Sequence, residues 1–156
     1  MASLSELRLR VETRSDAFAL VVEVDGRRVA AETCVTCPLG LVSALAGPER
    51  RRDFTCERGG APCASRRQPH AFNVEPRGPD LIWSRTNYPG TSRSVTFDRH
   101  QACVAVCAAL LELKAAVDAD PAGMARCAKM MPGAFTYADL LRCIERSQRM
   151  VAESAP

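Results

Sequence analysis

The spacing of the apolar residues changes once along this chain, and that change limits the folds open to it. Leu7, Leu9 and Val11 alternate with Arg8, Arg10 and Glu12; after the turn residues Arg14-Ser15-Asp16, Phe18, Leu20, Val22 and Val24 alternate again up to Asp25-Gly26. A period of two is that of half-buried strands. Asp-Gly favours a two-residue hairpin loop, which predicts a third short strand over 27–31. Beyond Asp98 the period lengthens: Cys103, Val106, Cys107, Leu110, Leu113 and Val117 recur at helical spacing.

Between these halves lies a meander. Residues 71–75 and 81–86 read as strands joined across Pro76-Arg77-Gly78-Pro79-Asp80, and a turn over 87–92 containing Pro89-Gly90 leads into 93–97. Trp83, the single Trp, is expected on the core face with Leu81 and Val95. An apolar stretch over 39–46, closed by Gly47-Pro48, reads as a short helix. Residues 48–70 show no periodicity and read as an irregular excursion, which either carries function or is held by something other than backbone pairing.

Helix starts are legible in the last third. Asp98 with Gln101 three residues on is a capping-box pattern, Asp120-Pro121 predicts a shorter helix with Pro at its first helical position, and Thr136 with Asp139 three later caps a final helix. Leu140, Ile144 and Val151 mark the apolar face of the final helix. Strands first and helices later predict an α+β fold: an antiparallel sheet of about five strands, N-terminal hairpin plus central meander, packed against C-terminal helices. No internal repeat or linker divides residues 1–156, so one domain is expected.

Composition narrows the function. A net charge of +3 is too small to mark the whole chain as a binder of nucleic acid or anionic membrane, and no uninterrupted apolar run reaches the length of a bilayer span. The basic residues are nearly all Arg, with Lys only at 114 and 129, which suggests a GC-rich bacterial source. The opening Met-Ala-Ser-Leu-Ser-Glu-Leu-Arg does not read as an export signal, so a reducing cytoplasm is expected and the eight cysteines are read as thiols or metal ligands before disulfides.

Cys34 and Cys37 form a Cys-x2-Cys pair, and Cys56 and Cys63 a wider Cys-x6-Cys pair. Four thiolates suit a tetrahedral structural zinc, which would order the excursion around Cys56 and Cys63; free thiols are the competing reading. A dithiol at Cys34 and Cys37 would instead make the chain a thiol oxidoreductase, but a hairpin precedes the pair where a thioredoxin-like fold has a β-α-β pattern. His100, Cys103 and Cys107 share a helical face, to which Cys127 or Cys143 could be added as a metal ligand; small core cysteines and an exposed His100 explain that pattern more simply. No phosphate-binding glycine loop, Gly-x-Ser-x-Gly or His-Glu-x-x-His is present, and a non-catalytic role is expected.

Arg50, Arg51, Arg52, Arg58, Arg66 and Arg67 stand in the excursion against Asp53 and Glu57. Only Phe54 and Phe72 lie near them, fewer aromatics than single-strand nucleic-acid binding usually interleaves with its charge. These arginines, with the turn over 87–92, are therefore expected to meet a protein partner; a zinc-stabilised nucleic-acid-binding module is the alternative.

The order of Cys56-Glu57-Arg58-Gly59-Gly60-Ala61-Pro62-Cys63, a Trp83 strand and Phe97-Asp98-Arg99-His100-Gln101 resembles a group of small bacterial proteins. That group has a Cys-x-Cys-Gly-x3-Cys loop, a Trp-bearing strand and a Phe-Asp helix start. Arg58 stands where the loop has its middle cysteine. The resemblance, which covers roughly residues 54–110, implies a toxin-neutralising immunity protein or a similar accessory protein.

Overall fold

The computed structural model describes residues 3–13, 18–28, 52–54, 57–58, 61–62, 72–87, 91–128 and 135–156, together with Pro38, Leu41, Val42 and Leu45. The fold is α+β. β1 (Leu7–Thr13), β2 (Phe18–Val24) and β3 (Arg27–Arg28) form one antiparallel sheet in that order. A second sheet has the order β4 (Arg52–Phe54), β7 (Phe72–Arg77), β8 (Asp80–Asn87), β9 (Thr91–Asp98), and β5 (Glu57–Arg58) pairs with β6 (Ala61–Pro62) alone. Three helices follow: α1 (Arg99–Asp118), α2 (Gly123–Ala128) and α3 (Tyr137–Ser154).

The turn chemistry explains the strand pairing. Val24 pairs with Arg27, and Asp25 and Gly26 both have positive φ, 50° and 78°, as a type I′ loop requires. Asp25 is held in its left-handed conformation from the residue ahead of β1: its Oδ1 accepts from the Glu6 N–H at 2.8 Å, while its own N–H donates to the Glu6 carbonyl at 2.9 Å. Arg77 pairs with Asp80 across Gly78-Pro79, where Gly78 at φ +59° supplies the positive φ of a type II′ first position. Both loops are two residues long, so each fixes its register. The strand before the second loop therefore runs on through Pro76 to Arg77, two residues beyond the sequence reading.

The main correction lies within residues 48–70. Where periodicity shows nothing, three short strands occur: β4 pairs Arg52 with Val74 and Phe54 with Phe72, and β5–β6 pairs Glu57 with Pro62 and Arg58 with Ala61. Two- and three-residue strands are too short to display a period, and tertiary pairing with β7 decides β4. Glu57, Arg58, Ala61 and Pro62 leave two residues between the strands, and these are Gly59-Gly60, a pair that such loops prefer.

The two larger sheets meet at a seam. The Ser5 N–H, just ahead of β1, donates to the Thr96 carbonyl in β9 at 2.8 Å. α1 lies across this seam and packs on β1, β2, β8 and β9. Phe18, Leu20 and Val22 of β2 are buried beneath it, while Leu7, Leu9 and Val11 of β1 are half-buried. Leu81, Trp83 and Phe97 close the core from the second sheet; the Trp83 and Phe97 rings meet edge-on with centroids 4.9 Å apart. Pro38, Leu41, Val42 and Leu45 are helical, as expected for 39–46, and buried.

α1 begins as the sequence predicts, with the Asp98 carboxylate accepting from the Gln101 N–H at 2.8 Å. The second helix starts later than Asp120-Pro121: Asp120 Oδ1 accepts from the Ala122 N–H, residues 119–122 form turns, and α2 begins at Gly123. Gly123 is needed there, because a Cβ would sit 2.3 Å from the Val117 carbonyl oxygen. α3 opens with a complete capping box between Thr136 and Asp139. It runs antiparallel to α1, tied at one end by the Tyr137 hydroxyl donating to Asp118 at 2.8 Å and at the other by His100 and Ser154. By length and composition alone α1 could cross a bilayer; in this fold seven of its residues are buried in the protein core.

Candidate functional site

The sequence singles out two sets of residues, and the structure describes part of each. Cys34, Cys37, Cys56 and Cys63 lie outside the described residues, as do Arg50, Arg51, Arg66 and Arg67. Arg52 and Arg58 are described at backbone level. Arg52 opens β4, the strand at one margin of the four-stranded sheet, and Arg58 sits in β5. β4 takes its position from three consecutive pairs with Phe72, Asn73 and Val74, so the charged segment has at least one rigid anchor on the frame. Of the turn over 87–92, Asn87 pairs with Thr91, which leaves a three-residue loop with the sequence Tyr88-Pro89-Gly90.

The helical face of His100, Cys103 and Cys107 is fully described, and it differs from the sequence reading in two respects. His100 is half-buried rather than exposed, because the antiparallel α1–α3 pairing brings Ser154 to it, with Nδ1 3.1 Å from Oγ. Cys107 is half-buried rather than part of the closed core, whereas Cys103 and Cys143 are buried. Cys127 belongs to α2. Among the described residues, no group of three or more His, Cys, Asp or Glu side chains converges as a metal site.

The hydrogen bonds around His100 define what this corner can do. Ser154 Oγ lies 2.6 Å from the Met150 carbonyl and 3.1 Å from His100 Nδ1, so one hydroxyl joins the last turn of α3 to the first turn of α1. Burial pushes the neighbouring Cys103 thiol above its ordinary range, with the Ser154 hydrogen bond and the Arg99 charge pulling the other way. A thiol kept protonated by its surroundings is a poor nucleophile. The corner joins two helix ends and fills the core.

Next to it a cleft of about 380 Å³ opens between the Gly78-Pro79 loop, the start of α1 and the end of α3. Its walls include Asp98, Arg99, His100, Gln101 and Glu153. Arg99 Nε is buried there without a hydrogen-bond partner, while the Arg99 backbone N–H donates to the Pro79 carbonyl at 2.9 Å. A single guanidinium against two carboxylates makes a wall of mixed sign, selective for no simple anion.

One set of residues escaped the sequence reading. Val104 and Leu111 on α1 are each 43% exposed, and Leu141 on α3 is 41% exposed. The signal was available: α1 is apolar on more than the face its core stripe needs, and a second stripe of Val104, Ala108, Leu111 and Ala115 runs along it.

Scans of family models, of curated proteins and of solved structures each gave no match to this chain.

Proposed function

We propose that this chain is a non-catalytic protein-binding domain of a bacterial cytoplasm, an immunity or accessory protein whose partner docks on the arginine-bearing segment from Arg50 to Arg67. The observation that supports it is β4. Three cross-strand pairs with β7 anchor Arg52 at the sheet margin. Binding groups on a connection braced by a rigid scaffold need little ordering when a partner arrives. Six arginines against two carboxylates in that segment favour an acidic partner face, with charge speeding encounter and rejecting cationic surfaces. The turn over 87–92 is part of the same docking surface.

The zinc reading is the second proposal, with Cys34, Cys37, Cys56 and Cys63 as ligands of one structural ion in a nucleic-acid-binding module. What favours it is the β5–β6 register: Cys56 directly precedes β5 and Cys63 directly follows β6, so the wide spacing is that of residues flanking a hairpin. The two are separated by one set of measurements. A photo-crosslinking residue at position 58 is expected to capture a protein. The purified pair should then lose about tenfold or more in affinity on combined Arg50→Glu, Arg51→Glu and Arg52→Glu, a loss of at least ~1.4 kcal/mol, with thermal unfolding unchanged. Unaltered affinity would remove this surface. Retention on DNA that falls steeply with salt, together with about one zinc per chain, would establish the nucleic-acid module instead.

A further inference from the structure

We propose that the cleft between the Gly78-Pro79 loop, the start of α1 and the end of α3 binds a small zwitterion of amino-acid or dipeptide size, with its carboxylate on Arg99 and its ammonium on Glu153. The cleft holds about 380 Å³, towards the lower end of the span of small-molecule pockets, about 300–1,000 Å³. Its walls are fastened to one another before any ligand arrives. The Arg99 N–H donates to the Pro79 carbonyl at 2.9 Å, which ties the loop to α1. His100 Nδ1 lies 3.1 Å from Ser154 Oγ, which ties α1 to the end of α3. A site on elements already fixed loses little freedom on binding.

The charges that face the cleft select the ligand. Among the described residues, no hydrogen bond or ion pair engages the Arg99 side chain. Its Nε is buried without a partner, so the stem is packed in place and the two Nη groups are left as the donors that a ligand can reach. A guanidinium takes a carboxylate on two parallel N–H groups. Glu153 is the counterpart. It is exposed on the last turn of α3, lines the same cleft and, among the described residues, also has no hydrogen bond or ion pair. The other carboxylate, Asp98, has its Oδ1 engaged as the cap on the Gln101 N–H. With the Arg99 and Gln101 amides both taken, side chains rather than the helix end make the site. Two opposite charges that share a cleft and do not pair with each other leave a gap that a molecule carrying both signs can span. An ion of one sign gains one of them and is repelled by the other, so the wall discriminates against simple anions and simple cations alike. The described walls include no residue of the arginine segment, and the site does not depend on the docking function proposed for it.

Titration of the full, nitrogen-15-labelled chain, followed by amide chemical shifts, tests this with probes that differ chiefly in the distance between their charges: glycine, β-alanine, 4-aminobutanoate and glycylglycine. At least one is expected to bind with a Kd below about 1 mM, with shifts concentrated at 78–79, 99–101 and 153–154. Tightest binding of glycylglycine would make the source a peptide; tightest binding of one of the others would make it a free amino acid. Acetate and ethylammonium, which carry one charge each, should bind at least about tenfold more weakly than the best zwitterion. Glu153→Gln, at an exposed position, should weaken that zwitterion by at least about tenfold with an unchanged far-ultraviolet circular dichroism spectrum. Glu153→Lys should turn the preference towards succinate, a dicarboxylate, which a merely structural residue would not do. No saturable shift with any zwitterion at about 10 mM, acetate as tight as the best of them, shifts confined to other parts of the chain, or a Glu153→Gln variant that binds as the wild type does would overturn the proposal.

Discussion

Trp83 shows how much one side chain carries. It is 1% exposed, meets Phe97 edge-on, and stands at the junction of the second sheet with α1. Trp83→Ala is expected to cost about 3–5 kcal/mol in chemical unfolding, because a large cavity would open where helix and strands cannot both collapse. Thr136→Ala should cost about 1 kcal/mol by removing one half of the α3 capping box. Asp139 in that box gives the chain an acid sensitivity. The Thr136 backbone N–H, then Arg142 and the Thr136 hydroxyl, hold its carboxyl below the ordinary range. A carboxylate whose folded pKa is depressed contributes stability present above its unfolded value, about 4, and lost as pH falls through the folded one. Melting curves from pH 7 downwards should therefore fall less steeply on the acid side for Asp139→Asn than for the wild type; parallel curves would exclude this contribution. The thiols offer a chemical readout. Cys103 and Cys143, buried, should resist alkylation in the native protein and react on unfolding, with Cys107 the faster of the α1 pair.

At the scale of elements, most of the framework was legible, and the physical reasons are plain. β1, β2, β8, α1 and α3 are long enough to show a period, and Asp25-Gly26, Asp98 and Thr136 announce their turns and caps chemically. β4, β5 and β6 have two or three residues each, so no period exists to be read, and pairing partners elsewhere in the chain decide them. Gly59-Gly60 is a turn signal, but without a period on either side of it nothing in the spacing shows that strands flank it. His100 was misjudged because its burial depends on the C-terminal turn of α3, 54 residues away. The second stripe of α1 is apolar in sequence, but its exposure depends on which face of the helix the sheets and α3 cover. Of the proposed partner surface, the residue types were visible, but what braces them on the sheet was not. One element-level test follows from α2: Gly123→Ala should destabilise by about 1–3 kcal/mol, since the methyl group would meet the Val117 backbone rather than a side chain that could move. An unchanged melting temperature would mean that α2 can shift away from α1.

Across the whole molecule, α1 organises what the rest does. One face closes the core over both sheets and its two ends tie α3, while Arg52 stands in β4 at the margin of the four-stranded sheet. The proposed function requires that segment to keep a fixed position in the free protein. Amide hydrogen exchange of the full chain measures this directly. The amides of Arg52–Phe54 that pair with β7 should exchange slowly, in step with β7 and β8, before any partner is added. Exchange there at the rate of an unstructured chain, beside protected β7–β8 amides, would contradict the account.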